Sequence, residues 1–398
     1  MAFVHCGSEE CTKSELDLFQ IAPTQTSIEK SIYIEVPPPS AVTESAPIDF
    51  FIAGNGIDYM DLNNTLLYLC CKIVKGDGTE LEADTEVGLV NYPVASIFSQ
   101  LDVTLGDRLV SQSNNCYPYR VFIESVLNYS NDTLATQFSA GLFYKDTAGQ
   151  QEDRDLDGEN LGFVRRAKLT AQSRTVELLG HLHSNLFFQE KLLLNGVDVK
   201  IKLTRSKDPF CLMGSGTEGF KLRILSASLF VKKVRVAPSV RLGHAEALLT
   251  ANAKYPVDHV GMKVFSIPAG SRVSNQENLF LGQLPKMLVL GFVDAFSGSY
   301  AKNPFHFKHY DINFVALCVD GEQIPTKPLQ PDFEAGRCVR EYMNPECADH
   351  YSLIKTGNLR AEIRFGKALT ITVNMIVYGV FDNVIEINQR RNVLFDYM

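Results

Sequence analysis

"NGVDVKIKL", residues 195–203, alternates without a break. Val197, Val199, Ile201 and Leu203 share one parity; Asp198, Lys200 and Lys202 share the other. Successive side chains of an extended chain point to opposite faces, so a period of two predicts a strand with one dry and one wet side. "LLLNG" (192–196) leads into it, and Asn195-Gly196 tolerates positive φ, which predicts a two-residue hairpin turn. "NLRAEIRF" (358–365) repeats the pattern with Leu359, Ala361, Ile363 and Phe365 inward, and "LTITVNM" (369–375) does so again. "FKLRILSASLFVKKVRV" (220–236) reads as a long strand that Pro238 ends.

The segment "VDGEQIPTKPLQPDF" (319–333) follows an apolar run, Ile312 to Val319. Asp320-Gly321 is a second hairpin signal. Pro325, Pro328 and Pro331 cannot donate to a ladder, so the chain is expected to leave the sheet there as a loop of fixed shape. Helical patterns are few. "YRVFIESVLN" (119–128) pairs Phe122 with Val126 and Ile123 with Leu127, one amphipathic helix. "HAEALLTANAK" (244–254) is the second. The polar stretch 145–172, "KDTAGQQEDRDLDGENLGFVRR" and its continuation, is expected to be the longest loop and to project into solvent, open to proteolysis near Arg154 or Arg165. Many short strands with long loops and no βαβ alternation predict an all-β protein of two tandem sandwiches or jelly rolls with a few short helices. The divisions are an N-terminal arm (1–24), a first body (25–238), a connector (239–254) and a second body (255–398).

The chain has 398 residues, 45% hydrophobic and 21% charged, ordinary for a folded protein of two domains or one large β body. No 18-residue apolar run is present, so no membrane span is expected, and the first residues lack the basic and apolar regions of a signal peptide. Synthesis in the cytosol follows. Nine scattered cysteines without a CxxC pair predict reduced thiols rather than a disulfide framework or zinc site. Net charge is −8, and the leader holds Glu9, Glu10, Glu15 and Asp17 against Lys13. Tight nucleic-acid binding through phosphates needs the opposite sign.

Candidate chemistry is sparse. "GSGTEG" (214–219) fits GxGxxG, but a strand rather than a helix follows it, so it reads as a connector. Asp153, Asp155, Asp157 and Gly158 match the first positions of a calcium loop, whereas the position of the bidentate glutamate holds Val164, so any calcium binding is expected to be weak. His181 and His183 would share a strand face, and His306 and His309 have helix-like spacing in a loop; neither pair has further ligands at diagnostic spacing. No GxSxG elbow, P-loop, HExxH or Cys-His pair is readable, so no catalytic residue and no cofactor is expected.

Longer blocks carry a resemblance: "LLLNGVDVKIKLTRSKDPFCLM" (192–213), "NAKYPV" (252–257), "ENLFLGQLPK" (277–286), "GSYAKNPFHFKHY" (298–310), "VDGEQIPTKPLQPDF" (319–333), "GNLRAEIRF" (357–365) and "MIVYGVFDNVIEINQRRNVLFDY" (375–397). In order and over most of the chain they resemble the major capsid protein of Polinton (Maverick) elements and adintoviruses. The resemblance implies a double jelly-roll, a hexon-type homotrimer with pseudo-hexagonal outline, contacts to neighbouring capsomers, a location in the virion, and no catalysis. It also implies a single jelly-roll penton protein, a maturation protease and a packaging ATPase as partners. In that family a longer connection with a further strand is expected between the counterparts of "REYM" (340–343) and "HYSLIKTGNLR" (350–360). Here "NPECAD" (344–349) joins them, so a strand of the second jelly roll is expected to be missing near Met343–Asn344. Rival readings are a decayed, host-resident capsid copy and a double β-sandwich binding module, for example for carbohydrate.

Overall fold

The computed structural model describes residues 24–215, 219–339 and 356–394, together with Leu16, Leu18 and Ile21. In the first half β1 (Ile28–Val36), β3 (Asp58–Lys75), β7 (Val176–His181) and β10 (Phe220–Val236) form a sheet ordered β1-β10-β3-β7. Facing it, β2 (Ile48–Ile52), β5 (Phe98–Leu105), β6 (Arg108–Gln112) and β8 (Val199–Arg205) are ordered β2-β8-β5-β6. β4 (Val87–Leu89) and β9 (Leu212–Gly214) make a separate ribbon. One core unites the two sheets: Phe50, Val103 and Ile201 from one meet Leu67, Leu69 and Leu222 from the other. Helices α1 (Pro93–Ser96), α2 (Tyr117–Asn128), α3 (Asn131–Thr136), α4 (Leu161–Thr170) and α5 (Asp208–Cys211) sit in the connections, and α6 (Pro238–Ala247) leads to the second half.

There the strands are β11 (Ala253–Ile267), β12 (Val273–Gln276), β13 (Met287–Val293), β14 (Ile312–Val319), β15 (Glu322–Leu329), β16 (Leu359–Phe365), β17 (Val373–Ile387) and the short β18 (Val393–Leu394). One sheet runs β11-β17-β13, with β18 also on β17; the other runs β12-β16-β14-β15. All pairings in both halves are antiparallel. Among the described residues no strand is shared between the halves. The two orders superpose position by position: β1 with β11, β10 with β17, β3 with β13, and β2-β8-β5-β6 with β12-β16-β14-β15. Two four-stranded sheets with this connectivity are the jelly-roll arrangement, repeated. The position of β7 has no described counterpart beside β13. The join at Met343–Asn344, where a missing strand is expected, lies outside the described residues.

Five expectations need correction. Asn195-Gly196 does turn, with Gly196 at φ +77°, but Leu193 bridges Met60 while β8 pairs with β2 and β5, so the turn joins no hairpin. The alternating strand is as read: Val199, Ile201 and Leu203 are buried and Lys200 and Lys202 exposed. Pro325 and Pro328 lie inside β15 rather than beyond the sheet, because β15 is an edge strand whose outer amides need no partner. The stretch 145–172 is not one solvent loop: α4 occupies 161–170, capped by the Asn160 side chain, with Phe163, Arg166 and Ala167 buried. The second helix spans 238–247, and β11 begins at Ala253. Helix α2 turns a different face inward than expected; Val126 and Leu127 are exposed, and Arg120 and Glu124 are buried.

Candidate functional site

Among the described residues the most densely bonded region is the seam where the halves meet. Helix α2 supplies the centre. Its residues 120 and 124 are one turn apart and project together. Arg120 Nε donates to Glu124 Oε1 at 2.8 Å, and a second guanidinium nitrogen donates to Asn185 Oδ1. Glu124 Oε2 bonds His183 Nδ1 at 2.9 Å, and the backbone N–H of His183 donates to Tyr117 Oη at 3.2 Å. From the second half, the Tyr378 hydroxyl donates to Glu124 Oε1 at 3.4 Å. Burial acts to raise the Glu124 pKa, but Arg120 and His183 outweigh it and hold the carboxyl below its ordinary value. Arg120 also acts across the seam on His259 of β11, which burial chiefly, and this charge secondarily, push down to about 4.

Beside this cluster the halves interlock through rings. Phe305 stacks on Phe122 with centroids 4.7 Å apart and planes 4° apart, and meets Phe210 and Tyr119 edge-on. Phe296 stacks on Tyr119 at 5.4 Å. The loop carrying these rings is tied by its backbone: Gly214 N–H donates to Tyr300 O at 2.9 Å, and the Tyr300 hydroxyl donates to Phe220 O at 2.7 Å. Gly298 fits because its φ is +84° and a Cβ there would lie 2.6 Å from the Phe210 nitrogen. Around the rings run charges. Arg166, with no exposed side chain, pairs with Asp146 at 2.6 Å and donates to the carbonyls of Leu89 and Tyr144. Asp146 in turn accepts from Asn303 of the second half at 2.8 Å. Lys308 bridges Glu152 (2.8 Å) and Asp294 (3.4 Å), and His306 reaches Glu152 at 3.1 Å. At the far end Arg391 donates to the carbonyl of Asn195 at 2.7 Å and to its side chain at 3.0 Å. Between the halves lies a half-open groove of about 860 Å³, lined by Arg120, Glu124, Tyr129, Lys286 and Tyr378 among others.

The sequence-predicted candidates are placed apart from one another. The Asp153 carboxylate accepts from the backbone N–H of Asp155 (3.1 Å) and Glu159 (2.8 Å), and Asp155 accepts from the N–H of Asp157 at 3.0 Å. These carboxylates cap their own loop. Among the described residues no group of three or more His, Cys, Asp or Glu side chains is gathered as a metal site. His181 ends β7 exposed, whereas His183 is buried on Glu124, so they share no face. His306 pairs with Glu152, and His309 stacks on Phe333 at 4.4 Å. Of "GSGTEG", Gly214 ends β9 and residues 216–218 lie outside the described residues. The Arg120–Glu124–His183 cluster was missed because charged residues on a helix read as its wet side. The i,i+4 spacing of Arg120 and Glu124, on the turn that also holds Val121 and Ile123, was the available signal.

The seam sets a pH dependence. A His whose folded pKa is depressed binds its proton more readily in the unfolded chain, so stability falls as the pH drops from 6.5, the ordinary value, to about 4. From their ordinary values, 4.5 for Glu124 and Glu152 and 3.8 for Asp294, downward, these carboxylates, all held below those values, withdraw their contribution as they protonate. The unfolding midpoint is therefore expected to decline between pH 6.5 and 4, and His259→Phe to flatten that limb while leaving the steeper loss below it. An unchanged slope in the variant would count against His259 as the source.

No family model matches the sequence. An uncharacterized protein of Caenorhabditis elegans, F54H12.2, is 24% identical over 333 residues, covering 80% of this chain and 77% of that one. Among solved structures, a chain of the Sputnik virophage determined by cryo-EM overlays with TM-score 0.66 at 13% identity, over 99% of this chain and 94% of that one. The PBCV-1 virus capsid gives 0.57 at 11% identity over 96% and 99%. The mavirus major capsid protein gives 0.54 at 10% identity over 100% and 97%. Such low identities speak to architecture alone. Together with the repeated strand order they make the fold of this chain the double jelly-roll.

Proposed function

We propose that the chain is the major capsid protein of an icosahedral double-stranded DNA virus or virus-like transposon, of the Polinton (Maverick) and adintovirus kind. The observation that carries this reading is the seam: the two jelly rolls, which we assign to 25–238 and 255–398, are locked into one two-lobed block by buried rings and ion pairs. Three such blocks in closed symmetry give six lobes and a hexon-like outline. The fold overlay with capsid chains over nearly the whole length supports it. In this reading the protein is structural, without a catalytic site or cofactor, and resides in the virion. Its partners are neighbouring capsomers and a penton protein. It does not hold nucleic acid tightly by sequence. Any calcium at Asp153, Asp155 and Asp157 is weak, and a calcium-dependent rise in melting temperature of many degrees would contradict this.

Purified protein is expected to scatter light as a species about three times the 44.3 kDa chain. The interface of such an obligate assembly should bury on the order of 2,000–5,000 Å². Electron microscopy should show shells or capsomer sheets. A stable monomer at high concentration sinks the assembling reading. It would favour the second one, a host-resident copy that no longer builds shells, for which the nematode relative is the supporting observation.

A further inference from the structure

The chain contains two Asn-Gly pairs, Asn55-Gly56 and Asn195-Gly196, and the fold sets them side by side. Asn195 Nδ2 donates to the Gly56 carbonyl at 2.7 Å, and the Gly54 N–H donates to the Asp198 carboxylate at 2.8 Å. A Cβ on Gly54 would lie 2.5 Å from the Val197 nitrogen, so the two turns touch through backbone. Asparagine before glycine has a chemistry of its own. The next backbone nitrogen can attack the side-chain carbonyl carbon, and glycine has no Cβ to obstruct it.

The two pairs are held differently. Asn55, Gly56 and Ile57 are exposed. Asn55 Oδ1 accepts from the backbone N–H groups of Ile57 at 3.1 Å and Asp58 at 2.6 Å, so the chain after Asn55 folds over its own side chain. Two N–H donors at that oxygen stabilise the negative charge that gathers there when Cγ becomes tetrahedral. Asn55 Nδ2 donates to Asp58 Oδ2 at 2.9 Å. Arg235 chiefly holds Asp58 below the ordinary carboxylate value, so an ionised group faces the nitrogen that must gain a proton and leave. Asn195 is half-buried, and one guanidinium spans it. Arg391 Nε donates to its backbone carbonyl at 2.7 Å, and a second nitrogen donates to Oδ1 at 3.0 Å. The carbonyl oxygen and the next nitrogen lie on opposite sides of one planar peptide. A clamp that turns the oxygen toward the side chain turns the Gly196 nitrogen away from Cγ.

We propose that Asn55 is a self-modifying site: the Gly56 nitrogen bonds to Asn55 Cγ, ammonia leaves with the proton that the Gly56 amide gives up, and water opens the resulting succinimide to aspartate or isoaspartate. Asn195 is the same dipeptide held inert. The product exchanges an amide donor for a second carboxylate beside Asp58, so the modified chain carries like charges at the start of β3. The inference concerns a single chain and stands apart from the capsid reading.

Peptide mapping of the full chain, aged in mildly alkaline buffer and in urea, tests it. In the native protein, residue 55 should turn to acid at least about tenfold faster than residue 195, a modest share of what preset donors to an oxyanion supply. In urea the two should react alike. Gly56→Ala should slow residue 55 about tenfold by adding the Cβ that glycine lacks. It should leave the melting temperature unchanged, since a Cβ there meets nothing within 4 Å. Arg391→Leu should raise the rate at residue 195 and leave that at 55 as it was. A native rate at 55 no greater than at 195 overturns the proposal, as does a Gly56→Ala chain that reacts as fast as wild type. A rise at both residues in Arg391→Leu refutes the clamp.

Discussion

Replacing Glu124 with leucine is expected to destabilise the protein by about 3–5 kcal/mol, the penalty for leaving one member of a buried ion pair without its partner. Arg120 is 2% exposed and Glu124 is 5% exposed, so neither charge has water to fall back on. Loss of the carboxylate strands the guanidinium, leaves His183 Nδ1 without its acceptor, and removes the bond that reaches Tyr378 across the seam. The double variant Arg120→Leu with Glu124→Leu is expected to be milder than Glu124→Leu alone, because it no longer strands a buried guanidinium. Urea unfolding of wild type, the two single variants and the double completes the cycle. A Glu124→Leu protein within about 1 kcal/mol of wild type would mean that the cluster is dispensable.

Phe305→Ala is the second large effect. The ring is 7% exposed and is wedged among Phe122, Tyr119 and Phe210, all of the first half. Truncating a buried phenylalanine costs about 3–5 kcal/mol through lost transfer and a residual cavity. Here most of the loss falls on the coupling between the two jelly rolls rather than inside either. Calorimetry should therefore show one cooperative transition in the wild type divide into two in the variant, with the first jelly roll melting last. A single transition moved bodily downward would place Phe305 in one core instead of between two.

The strands were legible because their period is a local property. Residues 199–205 and 359–365 needed only their own alternation to be assigned a face. What the local reading lacked was pairing. Nothing in 192–203 says that Leu193 meets Met60, which lies in a different part of the chain. The prolines of β15 were misread because an edge position is a fact about neighbours, not about the strand itself. The same limit hid the seam. Arg120, Glu124, Arg166 and Asp146 look solvated until the more distant groups that enclose them, His183, Asn303 and Tyr378, are known. Helix α4 was concealed for that reason: Arg165, Arg166 and Lys168 made a buried helix look like a wet loop.

In each half the opening strand lies against the last long one described, β1 on β10 and β11 on β17. A growing chain therefore cannot finish its first jelly roll until Val236 has been made, and then it can finish it without waiting for anything later. Domains that fold as units do so from the N-terminus during synthesis. The socket formed by Tyr119, Phe122 and Phe210 can thus form before Phe296 and Phe305 emerge, and Tyr378, on the later β17, reaches Glu124 after them. A chain that stops short of β17 would have its first lobe built and its rings able to dock, but would lack the Tyr378 bond that ties the seam to Glu124.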